Sequence, residues 1–431
     1  MSLHTSNVDA FAVRLLAARA AGRSLDLQYY LWHVDVTGRL LMNEVLGAAD
    51  RGVRVRIILD DINAHGEDAA LRTLATHPHI DVRMYNPSQN RWSDVRRGLE
   101  LLFRAMSLNR RMHNKSWIAD GRIAIVGGRN IGDEYFDAAT TRANFVDTDL
   151  SITGPAVADA SRIFDSFWNS KNVIPIGALA GEADFTLDDV RTRLVEFERS
   201  AEARPYLDHV AAVRSVDRIL TGRQFWSADV QVYSDPPDKR DRGKGWLVDH
   251  VLQYLAKAQQ SVEIVSPYFV PGEAGVAKMR ELRERNVQVA ILTNSLAATD
   301  VSAVHGAYAN YRLPLLSLGV ELFELMPMPG TKREFGFGSS GANLHTKAFT
   351  VDDKWGFVGS LNLDQRSVSL NTFAHYASML DLLDEYRAFM PQFDNTAQSL
   401  SATQIIIQQF IDQRFTTPTN SGAPLSDNTT P

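Results

Sequence analysis

The 431-residue sequence contains no cysteine, which excludes disulfides, thiolate nucleophiles and cysteine metal sites and leaves cytoplasm and periplasm equally open. It has no apolar run near the ~18 residues that a spanning helix needs. Met1-Ser2-Leu3 begins neither the basic nor the apolar part of a signal peptide. Because an amphipathic helix over 8–21 starts almost at once, with Val8, Phe11, Leu15 and Ala18 on one face, an upstream leader or anchor is expected to precede it. An excess of positive charge is also missing: 45 Lys and Arg stand against 51 Asp and Glu, a net charge of -6, so any contact with a polyanion must be local. The length allows roughly two to three domains of about 150 residues.

What the sequence does have is one pattern twice. His113-Asn114-Lys115 is followed by Asp120 and then by Gly127-Gly128-Arg129-Asn130; His345-Thr346-Lys347 is followed by Asp352 and then by Gly359-Ser360-Leu361-Asn362. The offset is 232 at each point (113 to 345, 120 to 352, 130 to 362). Two imidazoles and two ammonium groups that a bilobed molecule pools in one place suit a phosphodiester.

The surroundings repeat as well. A strand over 25–30, a helix over 38–49 and a β-branched strand over 53–59 are matched by a strand over 261–265, a helix over 273–285 and a strand over 287–292. This alternation predicts an α/β fold, internally duplicated, with two α/β/α sandwich lobes. The expected division is an N-terminal lobe over 1–175, a helical connector over 176–228, a C-terminal lobe over 229–415 and a disordered tail over 416–431, rich in Thr, Pro, Ser and Asn. Residues 235–245, with two prolines and several charges, read as a loop.

Alternation predicts that each His-x-Lys triplet is strand, placing His113 with Lys115, and His345 with Lys347, on one face. Further strands over 123–126 and 355–358 lead into the glycine turns, where backbone amides approach an anion and a following helix would aim its positive end at it.

These paired motifs resemble the phospholipase D superfamily over about 9–413. The stretches 108–116 and 127–136, together with Gln28-Tyr29-Tyr30-Leu31-Trp32 and 293–300, are similar to bacterial cardiolipin synthases of the C type. The resemblance implies two lobes about a pseudo-two-fold axis, no metal, no organic cofactor, and phosphatidyl transfer or hydrolysis through a phosphohistidine. It assigns His113, Lys115, Asp120, His345, Lys347 and Asp352 to the catalytic set, with His113 attacking phosphorus and His345 as acid and base. Lys115 and Lys347 supply point charges to the phosphate, and Asn130 and Asn362 donate amide hydrogen bonds to it. Asp120 and Asp352, five residues past each lysine, are assigned to positioning.

A nucleophilic histidine also wants a carboxylate on its other ring nitrogen, and Asp147 or Asp149 is suited to provide one. The corresponding place after the second motif departs from the family: relatives show Asn-x-Glu, whereas this chain has Asn371-Thr372-Phe373. The implied partner is a phospholipid such as phosphatidylglycerol at a peripheral membrane surface, on the cytoplasmic or periplasmic face of a bacterial inner membrane. Nucleic acid is not expected, and one chain already carries both half-sites without an oligomer. A nuclease of the same superfamily and a degenerate lipid-binding homologue remain the alternatives, the latter because of Phe373. The run Arg91, Arg96, Arg97, Arg104, Arg110 and Arg111, interleaved with apolar residues, reads either as a headgroup-binding element or as a solvated face. Tyr29, Tyr30, Trp32, Tyr268 and Phe269 are candidates for substrate contact or core, as are His305, Tyr308, Tyr311 and Arg312.

Overall fold

The computed structural model describes residues 1–63, 67–88, 111–140, 144–179, 185–212, 229–239, 246–326, 342–364, 372 and 374–379. The basic run from Arg91 to Arg110, Asn371, Phe373 and the tail lie outside the described residues, as do 213–228 of the expected connector. In the first half, β1 (Ser2–His4) and α1 (Asn7–Ala20) lead to β2 (Ser24–Tyr29), α2 (Val36–Asp50), β3 (Arg54–Asp60), α3 (Asp68–Leu74) and β4 (Ile80–Tyr85). Then come β5 (Ser116–Ala119), β6 (Ile123–Gly127), β7 (Asn144–Val146), β8 (Asp149–Thr153), α4 (Ala156–Trp168), β9 (Val173–Pro175), α5 (Leu187–Glu198) and α6 (Arg204–Ala212). The second half runs β10 (Asp229–Ser234), α7 (Trp246–Lys257), β11 (Ser261–Val265), β12 (Phe269–Val270), α8 (Gly272–Glu284), β13 (Gln288–Asn294), α9 (Ser302–Ser317) and β14 (Glu321–Leu325). It closes with β15 (Ala342–Leu344), β16 (Ala348–Val351), β17 (Trp355–Gly359), β18 (Leu363–Asp364) and β19 (Ala374–Met379).

Both halves build one sheet with one strand order. The first is β1-β8-β6-β5-β2-β3-β4, extended by β9, and the second is β10-β19-β17-β16-β11-β13-β14. In each, three parallel strands joined by right-sized helical crossovers (β2, β3, β4 and β11, β13, β14) continue into antiparallel neighbours. The duplicated α/β architecture read from the sequence is therefore the architecture of the chain.

The cores explain which residues form which element. Phe11, Leu41, Val45, Leu25, Val55 and Ile57 pack α1 and α2 on one face of the first sheet, while Phe164, Phe167, Val126 and Ile152 pack α4 on the other. Burying each such side chain contributes about 1.5–3 kcal/mol of transfer free energy. The amphipathic expectation for the first helix is corrected: α1 buries Ala10, Ala12, Val13, Arg14 and Ala17 as well as its predicted apolar face. It is enclosed because β1 and α6 cover sides that a surface helix would leave to water, and the aromatic rings of Phe11 and Tyr206 meet edge to face at 5.2 Å. Helix α5 starts with a reciprocal cap between Thr186 and Asp189, and it packs with α6 on the first lobe's core.

Asp120 and Asp352 lie at the wrong end of their strands for chemistry. Seven residues separate each from its histidine, on the order of 20 Å at strand rise. Each sits at φ 55° in the turn after β5 or β16. Asp120 accepts N–H bonds from Gly22, Arg23 and Ser24 at 3.0, 2.7 and 2.9 Å, and Asp352 accepts them from Gln259, Gln260 and Ser261 at 2.9, 2.7 and 3.0 Å. These donors hold the Asp120 carboxyl below its ordinary value, burial acting in the opposite sense as the largest single influence. Their place in the expected catalytic set is thus replaced by a fold role: each fastens the start of the lobe's central strand.

Asp120→Ala removes these acceptors and puts a β-carbon-only residue at a left-handed backbone position, a loss of about 1–2 kcal/mol. A melting temperature lower by a few degrees is expected, with Asn restoring part of the loss and the activity per folded molecule unchanged. A collapse of turnover at full foldedness in Asp120→Asn would return the residue to the chemistry.

Candidate active site

The histidines stand where the two lobes stitch together. Strand β15 pairs in parallel with β7 of the other lobe, Leu344 opposite Val146, and an isolated bridge sets Met112 opposite Thr372. The His345 N–H donates to Val146 O and the His113 N–H to Thr372 O, both at 2.8 Å. A side chain at the end of the third strand of each unit holds the preceding residue: Asp60 accepts the Met112 N–H at 2.8 Å, and Asn294 brackets Leu344 with two bonds of 2.9 Å. Residues 113–115 and 345–347 are consequently not strand. The expectation that they belong to the sheet fails because each triplet spans the gap between an interlobe pairing and its own lobe's strand. Each lysine instead folds back on its own triplet: Lys115 Nζ donates to the backbone carbonyl of His113 at 2.6 Å, and Lys347 Nζ donates to that of His345.

The expected orienting acid is found, with its partner in the opposite lobe. Asp147 Oδ2 accepts the bond from His345 Nδ1 at 2.5 Å, which fixes the proton on Nδ1 and turns the Nε2 lone pair outward. Beneath it lies a buried charged frame. Arg129 donates to His4 O, Asn7 Oδ1 and the Asp147 carbonyl, and it pairs with Asp149 at 3.3 Å. Arg14 reaches Asp149 at 2.9 Å and Tyr29 at 3.0 Å. The glycine turn serves this frame: a β-carbon on Gly128 would stand 2.3 Å from Asp147 Oδ1. No α-helix follows either turn among the described residues. Ile131 bridges to Trp32 and leads into a single 3-10 turn, Asp133–Tyr135, rather than an α-helix, and β18 pairs with β12.

The electrostatics favour an anionic ligand. Burial pushes the Asp147 carboxyl up, but His345, Lys347 and Arg129 outweigh it and hold it at about 2. Burial, then Lys347, draws the His345 imidazole below its ordinary value against the opposing pull of Asp147. Lys347 is pushed down to about 8 by burial, Asp147 and Asp300 opposing. Lys115 is lowered well below the usual ammonium range by burial and by the charge of Lys347. Two lysines from different lobes thus lie within each other's field, both almost wholly buried. Asn130 Nδ2 donates to Tyr135 Oη at 2.9 Å, while Oδ1 of Asn130 and of Asn362 is buried without a hydrogen-bond partner. Turning either amide about its last bond would present NH2 in that direction.

Aromatic residues divide between site and core. Tyr30 stacks on the His113 ring at 4.2 Å, and Tyr135 and Phe145 frame His345 at 5.3 and 5.0 Å. Tyr268 donates to exposed Asp300 at 2.7 Å, close enough to Tyr30 and Tyr135 for their charges to interact. Tyr29, Trp32 and Phe269 are core. His305 and Arg312 bond to each other at 2.8 Å, and Arg312 pairs with Glu324, so this group knits α9 to β14. Sequence reasoning missed Tyr135, Phe145 and Arg14. Only Arg14 carried a signal, as the charge in the middle of a helix whose other charges, Asp9 and Arg19, lie in its end turns.

With this geometry in place, the comparisons with known proteins define the class. The family profile described as "Cardiolipin synthase, PLD-like domain" matches residues 16–168 and 251–376, which take in both His-x-Lys motifs. The chain belongs to this phospholipase D-like family of enzymes. It is 39% identical over 400 residues to cardiolipin synthase C of Escherichia coli, covering 90% of this chain and 84% of that protein. It is also 26% identical to cardiolipin synthase A of Pseudomonas entomophila, covering 90% of this chain and 66% of that one. A solved structure of phosphatidylserine synthase from Haemophilus influenzae Rd KW20 shares the fold at a TM-score of 0.61, with 14% identity and 96% and 93% coverage.

Asp147→Asn removes the anion that raises the His345 value, so that value falls further. The limb of kcat/KM that is lost as pH drops through it should move to lower pH, with kcat down by ~10²–10⁴ through the wrong tautomer. Gly128→Ala, which pushes the same carboxylate aside, should reproduce the kcat loss. A pH profile identical to that of the parent in both variants would refute the dyad.

Proposed function

We propose that the protein is a phosphatidyltransferase of membrane phospholipids, moving a phosphatidyl group to an alcohol as in cardiolipin synthesis, with water giving hydrolysis in the same way. One observation carries the reading: Lys115 and Lys347, brought from different lobes and buried beside His345, each held below its ordinary value. A buried ammonium pair costs free energy that a single phosphodiester anion relieves, because that anion restores both charges at once. Asn130 and Asn362, one from each lobe, then bond its equatorial oxygens.

The imidazoles His113 and His345 divide the work of nucleophile and acid, giving a covalent phosphohistidine that the acceptor discharges. The names borne by the relatives, cardiolipin synthase and phosphatidylserine synthase, support phospholipid as the substrate class. No helix among the described residues is long and apolar enough to cross a membrane. Contact with the bilayer in this reading is peripheral, at a bacterial membrane.

Incubation with vesicles of isotope-labelled phosphatidylglycerol should yield labelled cardiolipin, with phosphatidic acid as the hydrolytic product, both read by mass spectrometry. His345→Ala and Lys347→Ala should lower product by at least ~10³-fold. Absence of both products from the folded parent protein on any phospholipid headgroup would overturn the assignment.

A further inference from the structure

The duplicated part of the site, two lysines and two turn asparagines, meets the phosphoryl group, which is the same in donor and product. What differs between the two half-reactions is the alcohol. As a histidine nitrogen bonds to phosphorus, the departing alkoxide takes up a proton; as that nitrogen leaves, the entering alcohol gives one back. Both act on the side of phosphorus away from the nucleophile, so one subsite holds the departing and then the entering alcohol.

The two lobes differ beside this place. Trp32 pairs with Ile131 and Phe269 with Leu363, each partner following a turn asparagine, so Leu31 stands in the first lobe where Tyr268 stands in the second. Leu31 has no hydroxyl. Tyr268 uses its own to donate to both oxygens of Asp300, at 2.8 and 2.7 Å. This bond joins two loops that flank the reacting groups. The Tyr268 loop lies against the Asn362 turn, where Ser266 Oγ accepts the Leu363 N–H at 3.5 Å, and the Asp300 loop leaves β13 just after Asn294, which clamps Leu344 next to His345. The Asp300 charge reaches Lys347 and also Tyr135, whose ring meets His345 edge on, while Tyr268 interacts with Tyr30, which stacks on His113.

Asp300 is exposed, and the single proton of Tyr268 uses little of a carboxylate's capacity for about four hydrogen bonds. A carboxylate near a phosphodiester repels it, a cost that a hydrogen-bond donor lying between them removes. We infer that Asp300, set in place by Tyr268, is a specificity-determining residue for the alcohol: it accepts the hydroxyl next to the reacting oxygen and so selects polyols, such as a glycerol headgroup, over alcohols with one hydroxyl. The inference deepens the phosphatidyltransferase reading and rests on it. Support of the Lys347 charge is the other work such a carboxylate does, and that acts on every acceptor alike.

The test gives the full chain vesicles of phosphatidylglycerol with equal concentrations of propylene glycol and n-propanol, which differ only by the hydroxyl on the carbon next to the reacting one. Mass spectrometry reads the ratio of the two phosphatidyl alcohols. Because both form in one tube, a change in the phosphoryl step, through Lys347 or through loop packing, cancels. The parent should favour propylene glycol by about tenfold or more, Asp300→Ala should bring the ratio close to one, and Asp300→Asn and Tyr268→Phe should fall between. A parent ratio near one, or a parental ratio in Asp300→Ala, overturns the assignment while leaving phosphatidyl transfer standing. Ethanolamine replaces propylene glycol in a parallel arm: if Asp300→Ala erases selection there and keeps it for the diol, the carboxylate serves an ammonium group and the hydroxyl assignment falls. A parent that forms no phosphatidyl alcohol from any of the three overturns the phosphatidyltransferase reading and this inference with it.

Discussion

The interlobe pairing of β7 with β15, and its counterpart between Met112 and Thr372, is the constraint from which the site follows. Neither His-x-Lys triplet belongs to a regular strand, so no ladder of its own lobe's sheet fixes its backbone. What fixes it is the carbonyl of a residue in the other lobe accepting the histidine's own N–H. Two α/β units that did not dock would each carry a loosely held ring. Docked, each becomes the template for the other's reactive group, and positioning to within a fraction of an ångström is what catalysis by approximation requires.

Docking has an electrostatic consequence that a single lobe never meets. It brings two buried ammonium groups together, where burial disfavours both charges and the charge of Lys347 further disfavours that of Lys115. Asp147 moderates this, since it opposes the lowering of Lys115, Lys347 and His345 alike. Asp300 and Asp364 join Asp147 about Lys347, and Asp60 and Asp149 join it about Lys115, yet both lysines stay below their ordinary values, a lowering that an anion with oxygens to share among several donors would relieve.

The sequence displayed the fold through its repetition: strands at 24–29 and 261–265, helices at 36–50 and 272–284, and offsets that drift by only a few residues between them left little freedom in the topology. The residues of the site were legible for the same reason, as types in a pattern. What a one-dimensional pattern does not carry is which lobe supplies a partner. Asp147 was readable as an orienting acid from its place before β8, yet its bond to His345 crosses 198 positions of chain. Asp120 and Asp352 misled because the repeat marks them as strongly as it marks the histidines. A motif kept twice reports that a residue is needed twice, and the start of a central strand is needed as much as a nucleophile. The triplets' departure from strand geometry was equally hidden, since alternation persists in any extended segment whether or not it finds a neighbour.

Duplication also sets what divergence can achieve. Two identical lobes would give two equivalent imidazoles, each able to attack and each able to donate. The two units of this chain are not identical: Leu361, His375 and Phe373 stand at the positions that correspond to Arg129, Asp149 and Asp147. The apolar character of Leu361 fits this logic, since a buried arginine without an aspartate to pair with costs more than a leucine in the same place.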